Sequence, residues 1–358
     1  MAATKLELRP DFAEVREVWR RFWAGELTER PALLINVPRN PEQKPPPRPH
    51  PYNLNIKPVE EVADLLEEWA AAFHWCGDIL PAYRVTFAPD DFALMLGADM
   101  EFREEGTLTG WIEPFLDDYD REIRFRPEGK WFVRMADCVA GLRKRFDGRL
   151  LLQWTQLQGG LDALSAIRGP ERLLMDLVTC PDDVKAALAQ IDRALAEARD
   201  ALAALYDIET LGSGTRHGMY HPGRVDVPQC DFSCMISTEM FEEFGVPSLR
   251  SDCQSLDAAE YHLDGPDAIR HLEAVCAIDK IMLIQWQPGA GEAAEQDWTD
   301  LYARIDRLGT GQLRSGNRDE VKRLWRNYRS DHLCIRVDGL RSPAEAEDFV
   351  GEMAALER

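Results

Sequence analysis

His262 and Asp264 stand two residues apart in the segment AAEYHLDG. On a β-strand, side chains two apart leave the same face. An imidazole and a carboxylate placed that way can hold a divalent metal or work as an acid/base pair. A plainer role competes for Asp264. The run Asp264-Gly265-Pro266 leads into a helix pattern, and Asp is a favoured helix cap. His217 and His221 lie four apart in SGTRHGMYHPG. On a helix they would resemble a metal pair, but Gly214, Gly218 and Pro222 indicate a loop. That leaves substrate binding or a solvated loop as their roles.

Further polar and aromatic residues fall at the ends of short apolar runs. GRLLLQW ends on Gln153 and Trp154, IMLIQWQPG carries Gln285, Trp286 and Gln287, and LCIRVDG reaches Asp338. Such runs, bounded by turn residues, read as buried strands. Polar strand ends that merely meet solvent explain one or two of these places. His, Asp, Trp and Gln recurring together mark a shared pocket, walled by Trp154, Trp286 and Tyr220, with His217 or His221 bonding the substrate. His332 begins its strand and belongs to the opposite end.

The elements that position these residues alternate. After residue 148 the predicted strands GRLLLQW, YDIETLG, AAEYHLDG, IMLIQWQPG, GTGQLRSG and LCIRVDG are separated by helical patterns such as PDDVKAALAQIDRALAEARDALAAL. Alternation of this kind predicts βα units around a parallel sheet. There is neither a Gly-rich dinucleotide fingerprint nor a P-loop, so the expected fold is a closed (β/α)8 TIM barrel rather than a Rossmann sheet. Its site would lie at the carboxyl ends of the strands. Residues 1–58 read as an N-terminal extension: an amphipathic helix over 10–24, a first strand over 32–37 and the Pro-rich arm PRNPEQKPPPRPHPYNLNIKP. The arm is a surface loop or, given its length, a lid or the arm of a homodimer. Residues 59–358 form the barrel, with a β-rich, irregular insertion over 86–147 that shows no helical periodicity.

Composition narrows the function. The 358 residues include 42 Lys+Arg and 63 Asp+Glu, a net charge of −21. That field repels phosphate backbones, so nucleic acid is not expected as a partner. An apolar fraction of 45% excludes wholesale disorder. No apolar run reaches the roughly 18–20 residues of a membrane span, and the first residues do not read as a signal peptide. The eight cysteines form no CxxC pair, which fits reduced thiols and a cytoplasmic location.

Three segments, CDFSCMISTEMFEEFGVPSLRSD, YHLDGPDAIRHLEAV and VDGLRSPAEAEDF, together resemble the uroporphyrinogen decarboxylase superfamily. LQGGLDALSAIRGPERLLMDLVTCPDDV, CGDILPAYRV and ALMLGADMEF add to the likeness, which spans roughly residues 60–356. The resemblance implies the same (β/α)8 barrel. It matches Asp78, in CGDIL, to the family's catalytic aspartate. The family's arginine-rich segment of form R-Q-A-G-R is missing: the corresponding ALLINVPRNPEQ holds only Arg39, and Asp338 stands where the family has a histidine. Porphyrinogen decarboxylation is therefore not expected.

The corrinoid-linked methyltransferases of the same superfamily resemble the chain better. They bind zinc through a His-x-Cys pair and a distant Cys. Here the pair reads His262-x-Asp264, and Asp338 or Cys334 stands nearest the distant position. The resemblance implies a methyltransferase acting on a small methylated substrate, with zinc or another divalent ion held by His262, Asp264, Asp338 or Cys334, or with a metal-free pocket in the same place. A corrinoid would enter only on a separate carrier protein. The alternatives are a decarboxylase or lyase on a small carboxylic acid, with Asp78 or Asp231 stabilising positive charge, and a non-catalytic ligand-binding barrel.

Overall fold

Apolar runs bounded by prolines and glycines form the strands of this protein, seen in a computed structural model that describes residues 6–103 and 108–357. In chain order they are β1 (Ala32–Pro38), β2 (Phe73–Gly77), β3 (Ala82–Arg84), β4 (Asp99–Arg103), β5 (Thr109–Glu113), β6 (Leu151–Gln153), β7 (Ser213–Gly214), β8 (Tyr220–His221), β9 (Val225–Asp226), β10 (Ala258–Asp264), β11 (Ile281–Gln287), β12 (Gly311–Gly316) and β13 (Leu333–Val337). Seven of them make one sheet in the order β2-β1-β13-β12-β11-β10-β9. Every neighbouring pair is parallel except β2 with β1. β3 and β6 form a separate parallel pair.

The strands' period of two sorts side chains into two apolar layers. Leu33, Ile35, Val37, Leu333, Ile335 and Val337 pack outward on Val321, Trp325, Phe349 and Met353 of the last two helices. Ala32, Leu34 and Cys334 face the larger core on the other side. The architecture is thus mixed α/β around a mostly parallel sheet. Among the described residues, the expected ring of eight hydrogen-bonded strands is present as an arc of six parallel strands plus the β3–β6 pair.

Between β6 and β9 the connection runs through side chains. Trp154 Nε1 donates to Val225 O (3.1 Å), and Gln156 Nε2 donates to Val227 O (2.8 Å). Beneath this seam lies a wholly buried ion triad, in which Arg199 meets Asp226 at 3.1 Å and Asp252 at 2.7 Å.

Two expectations are corrected. The insertion holds the hairpin β4–β5, but also a 17-residue helix, Lys130–Phe146. Trp131, Met135, Cys138, Val139, Leu142 and Phe146 form its buried stripe at helical spacing; five Arg and Lys residues interleaved with them obscure the pattern. YDIETLG is not a strand. The helix Pro181–Tyr206 ends at Asp207, in the left-handed region at φ 53°, and a short helix, Ile208–Leu211, follows. Tyr206 and Ile208 bury as helical residues, which leaves only Ser213–Gly214 as strand. No helix among the described residues is long and apolar enough to cross a membrane.

Candidate metal and acid/base site

β10 carries Glu260, His262 and Asp264 at a spacing of two, so one face of one strand presents two carboxylates and an imidazole. The parallel neighbour β11 sets Gln285 opposite His262. His262 Nδ1 bonds to Gln285 Oε1. The Gln285 amide nitrogen donates to Trp286 O (2.9 Å), which turns the amide oxygen toward His262. An amide oxygen only accepts, so Nδ1 carries the proton and Nε2 keeps its lone pair. Burial, followed by the positive charge of Arg216, pushes the His262 pKa down to about 3. The ring is neutral at physiological pH, the form that ligates metals.

Asp231 arrives from the loop after β9. Gln229 pairs with His262 through an isolated parallel bridge and donates from Nε2 to Asp231 Oδ2 (2.7 Å). Asp162, at the start of the helix Gly160–Arg168, accepts from the backbone N–H groups of Asp231 (3.0 Å) and Phe232 (2.9 Å) and fixes the loop. Asp231, His262 and Asp264 consequently each offer a ligand atom within 4.8 Å of the others. Two carboxylate oxygens and an imidazole nitrogen suit zinc or a harder divalent ion. Among the described residues no thiol joins them: Cys234 Sγ donates to the backbone oxygen of Asp264 (3.2 Å).

The trio is crowded with negative charge. Burial raises the Asp231 carboxyl well above the ordinary range, and Asp162 and Asp264 add to the rise, although Asp231 keeps an exposed edge. Asp264 and Asp162 are raised too, in each case first by burial. A cation bound between these groups would relieve their mutual repulsion.

Beside the trio, His217 Nδ1 donates to Glu260 Oε1 (2.6 Å), and the His217 ring lies 6.1 Å from that of His262. Glu260 is fully buried, and its Oε2 has no hydrogen-bond partner among the described residues. This is an oriented His–carboxylate dyad of the type used to hold and pass a proton.

The other expected site residues lie elsewhere. Asp78 sits beside Leu33 at the amino end of β1, accepting from Arg30 at 2.6 and 2.8 Å and from Leu33 N at 2.8 Å. It clamps two segments together and does not join the trio. Asp338 is exposed beyond β13 and joins no metal-competent cluster among the described residues. The β13 residue that lines the mouth is Arg336, two positions earlier on the same face. Cys334 is fully buried deeper on that face, its thiol pushed up by burial and by Glu260. Trp154 is spent on the seam. Tyr220 bonds Leu211 O (2.7 Å), and His221 Nδ1 accepts from Gly223 N (2.7 Å) in the β7–β8 hairpin. Trp286 is the exception: one register off the inward face and packed on Trp298, it still lines the cavity that His217, Gln285 and Arg336 share. A second donor group, His74, Cys76 and Glu347, joins β2 to the final helix.

Glu260 and Asp162 are functional candidates that the sequence reading passed over; Gln285 was marked there as a strand-end residue without a role. Glu260 shares the parity of His262 and Asp264, the one signal that could have found it.

Comparisons with known proteins come down to fold. No family model matches the chain, and no curated protein matches it. Among solved structures it is similar to a methyltransferase from Methanosarcina mazei, with a TM-score of 0.59 and 11% identity over 95% of this chain and 98% of that chain. At that identity the likeness establishes a shared fold.

Proposed function

We propose that this chain is a metal-dependent methyltransferase-like enzyme of the uroporphyrinogen decarboxylase superfamily type, built on a complete (β/α)8 barrel. The observation that carries the reading is the convergence of Asp231, His262 and Asp264 at the carboxyl end of β10, with His262 held in its ligating tautomer. The fold shared with a methyltransferase supports the reaction class. A small methylated substrate and a corrinoid carried on a separate protein would be its partners, in the cytoplasm.

Asp231, His262 and Asp264 would hold the ion, most simply zinc. When bound, it would supply a Lewis acid that stabilises an anionic nucleophile such as a thiolate. The remaining steps belong to the chain itself. Gln285 keeps Nδ1 of His262 protonated and Nε2 aimed at the ligand position. Asp162 and Gln229 hold the Asp231 loop against β10. Glu260 holds the His217 ring by its Nδ1 proton, and Nε2 of His217, which accepts from Arg216 Nε at 3.3 Å, would take a proton from the acceptor once that bond is released.

The test is zinc content of protein prepared without chelator. Wild type is expected to hold one zinc per chain, and His262→Ala and Asp264→Asn less than a tenth of that. Equal content in wild type and His262→Ala would remove the metal reading and leave His262 and Asp264 as an acid/base pair.

A further inference from the structure

Four arginines meet at the mouth beside this site. Arg48 comes from the Pro-rich arm, Arg84 ends β3, Arg216 precedes His217 and Arg336 lies on β13. Arg48, Arg216 and Arg336 line a cavity of about 470 Å³ that Trp69 and Trp75 also wall. Arg84 joins Arg48 and Arg216 around a smaller space of about 120 Å³ that shares Gln153 with the first. The arm thus forms one wall of the mouth, with Arg48 over the Trp69 ring at 5.3 Å from its centroid.

None of the four makes an ion pair with a carboxylate among the described residues. Arg48 Nη2 reaches Ala82 O (3.4 Å), Arg216 Nε donates to His217 Nε2 (3.3 Å) and Arg336 Nη2 donates to His217 O (2.7 Å). Elsewhere in this acidic chain arginines are commonly taken up by Asp and Glu, as Arg20, Arg145 and Arg304 are. Burial pushes the Arg216 guanidinium below its ordinary range against the pull of Glu260, and Arg84 adds repulsion. Burial and the charges of Arg84 and Arg336 do the same to Arg48, although that residue keeps an exposed edge. Arg30, Arg168 and Arg199, by contrast, are held above their ordinary range by the carboxylates they meet. Crowded, unpaired guanidiniums in a chain of net charge −21 destabilise the empty mouth and are relieved by a bound anion.

We infer that the mouth binds a small organic anion, its carboxylate, sulfonate or phosphate group seated among Arg48, Arg84, Arg216 and Arg336 and its apolar body against Trp69 and Trp75. Guanidinium forks suit the oxygens of all three groups. The cavity volume suits a small molecule. The inference rests on the proposed site only in placing this anion next to the trio, where His217 and Arg336 line both this cavity and the adjoining one that reaches Gln285.

The test is calorimetric titration of the intact protein with succinate, methanesulfonate and inorganic phosphate, at constant ionic strength in sodium chloride. At least one probe is expected to saturate at one per chain, and the tightest identifies the group. Arg48→Gln and Arg84→Gln should each weaken that probe about tenfold. Arg84→Lys should recover part of the loss, and Arg326→Gln, on an exposed helix face, should change nothing. The melting temperature of each variant is recorded to separate binding from folding. No saturable binding of any probe, or wild-type affinity in both Gln variants, overturns the inference. Zinc content is measured on the same samples. Zinc held while anion binding falls supports the arginine site by itself. Failure of the trio shows instead as wild-type protein without zinc.

Discussion

Gln285 decides which nitrogen of His262 is free. Its amide oxygen holds the Nδ1 proton, and its amide nitrogen is tied to Trp286 O at 2.9 Å, so the pair cannot reverse without breaking that second bond. Groups placed this way behind a ligating histidine tune the affinity of the site. Gln285→Leu is expected to weaken zinc binding by about 10–100-fold. Gln285→Glu, which keeps the acceptor, should retain most of it. Competition against a chelating dye reads both values, and wild-type affinity in Gln285→Leu would show that the tautomer is fixed by something else.

Zinc affinity should rise with pH across the neutral range. The protons displaced by the metal sit on carboxyls: Asp231 and Asp264 are both raised by burial, Asp231 to about 8, while His262 is lowered to about 3 and is already free. The affinity curve should therefore bend near 8 and show no inflection at the ordinary histidine value of 6.5. Asp231→Asn should lose that bend. A midpoint near 6.5 would assign the linkage to imidazole instead.

The same groups give the metal-free protein a stability that falls with pH. Asp231 is pushed up to about 8 in the folded chain and returns to the ordinary 3.8 when unfolded, so between those values the folded chain binds the extra proton. Its contribution declines as pH rises through that window and levels off above it. Urea midpoints at pH 5 and pH 8 should differ less in Asp231→Asn than in wild type. An unchanged difference would mean that Asp231 ionises normally.

Breaking the buried triad should be among the most damaging single changes. Arg199→Met leaves Asp226 and Asp252 charged and unpaired in the core, a loss of about 3–5 kcal/mol by analogy with other buried pairs. Arg199→Met combined with Asp226→Asn and Asp252→Asn should recover part of it. Urea denaturation measures each; a loss of under about 1 kcal/mol, the range of surface pairs, would mean that water reaches the triad.

Asp78→Asn separates a clamp from a catalytic group. It removes the charge that faces Arg30, so stability should fall by about 3 kcal/mol, with zinc content unchanged. Loss of zinc at full stability would return Asp78 to the chemistry.

His262 and Asp264 were legible because a strand's period puts them on one face whatever the rest of the fold does. Asp231 could be named as an acid but not placed with them. Its position depends on Gln229 lying against β10 and on Asp162, 69 residues away, holding the loop. For Asp338 the parity was right and the depth was not: β13 reaches the mouth at Arg336, leaving Asp338 outside. Of the basic side chains that hid the helix Lys130–Phe146, Lys130, Lys144 and Arg145 face solvent, where they carry no information about the buried stripe, and Arg134 turns back to donate to Leu54 O. The arginines of the mouth come from four separate segments, and only tertiary packing brings them together.

A backbone ladder holds whatever side chains it carries, so substitution along β10 to β13 leaves its rungs in place. Where β6 meets β9 the rungs are an indole and a carboxamide. There, a single residue change removes a rung outright. The β6–β9 joint therefore has a tightness that is heritable residue by residue, and on heating it should open ahead of the strands that are stitched main chain to main chain.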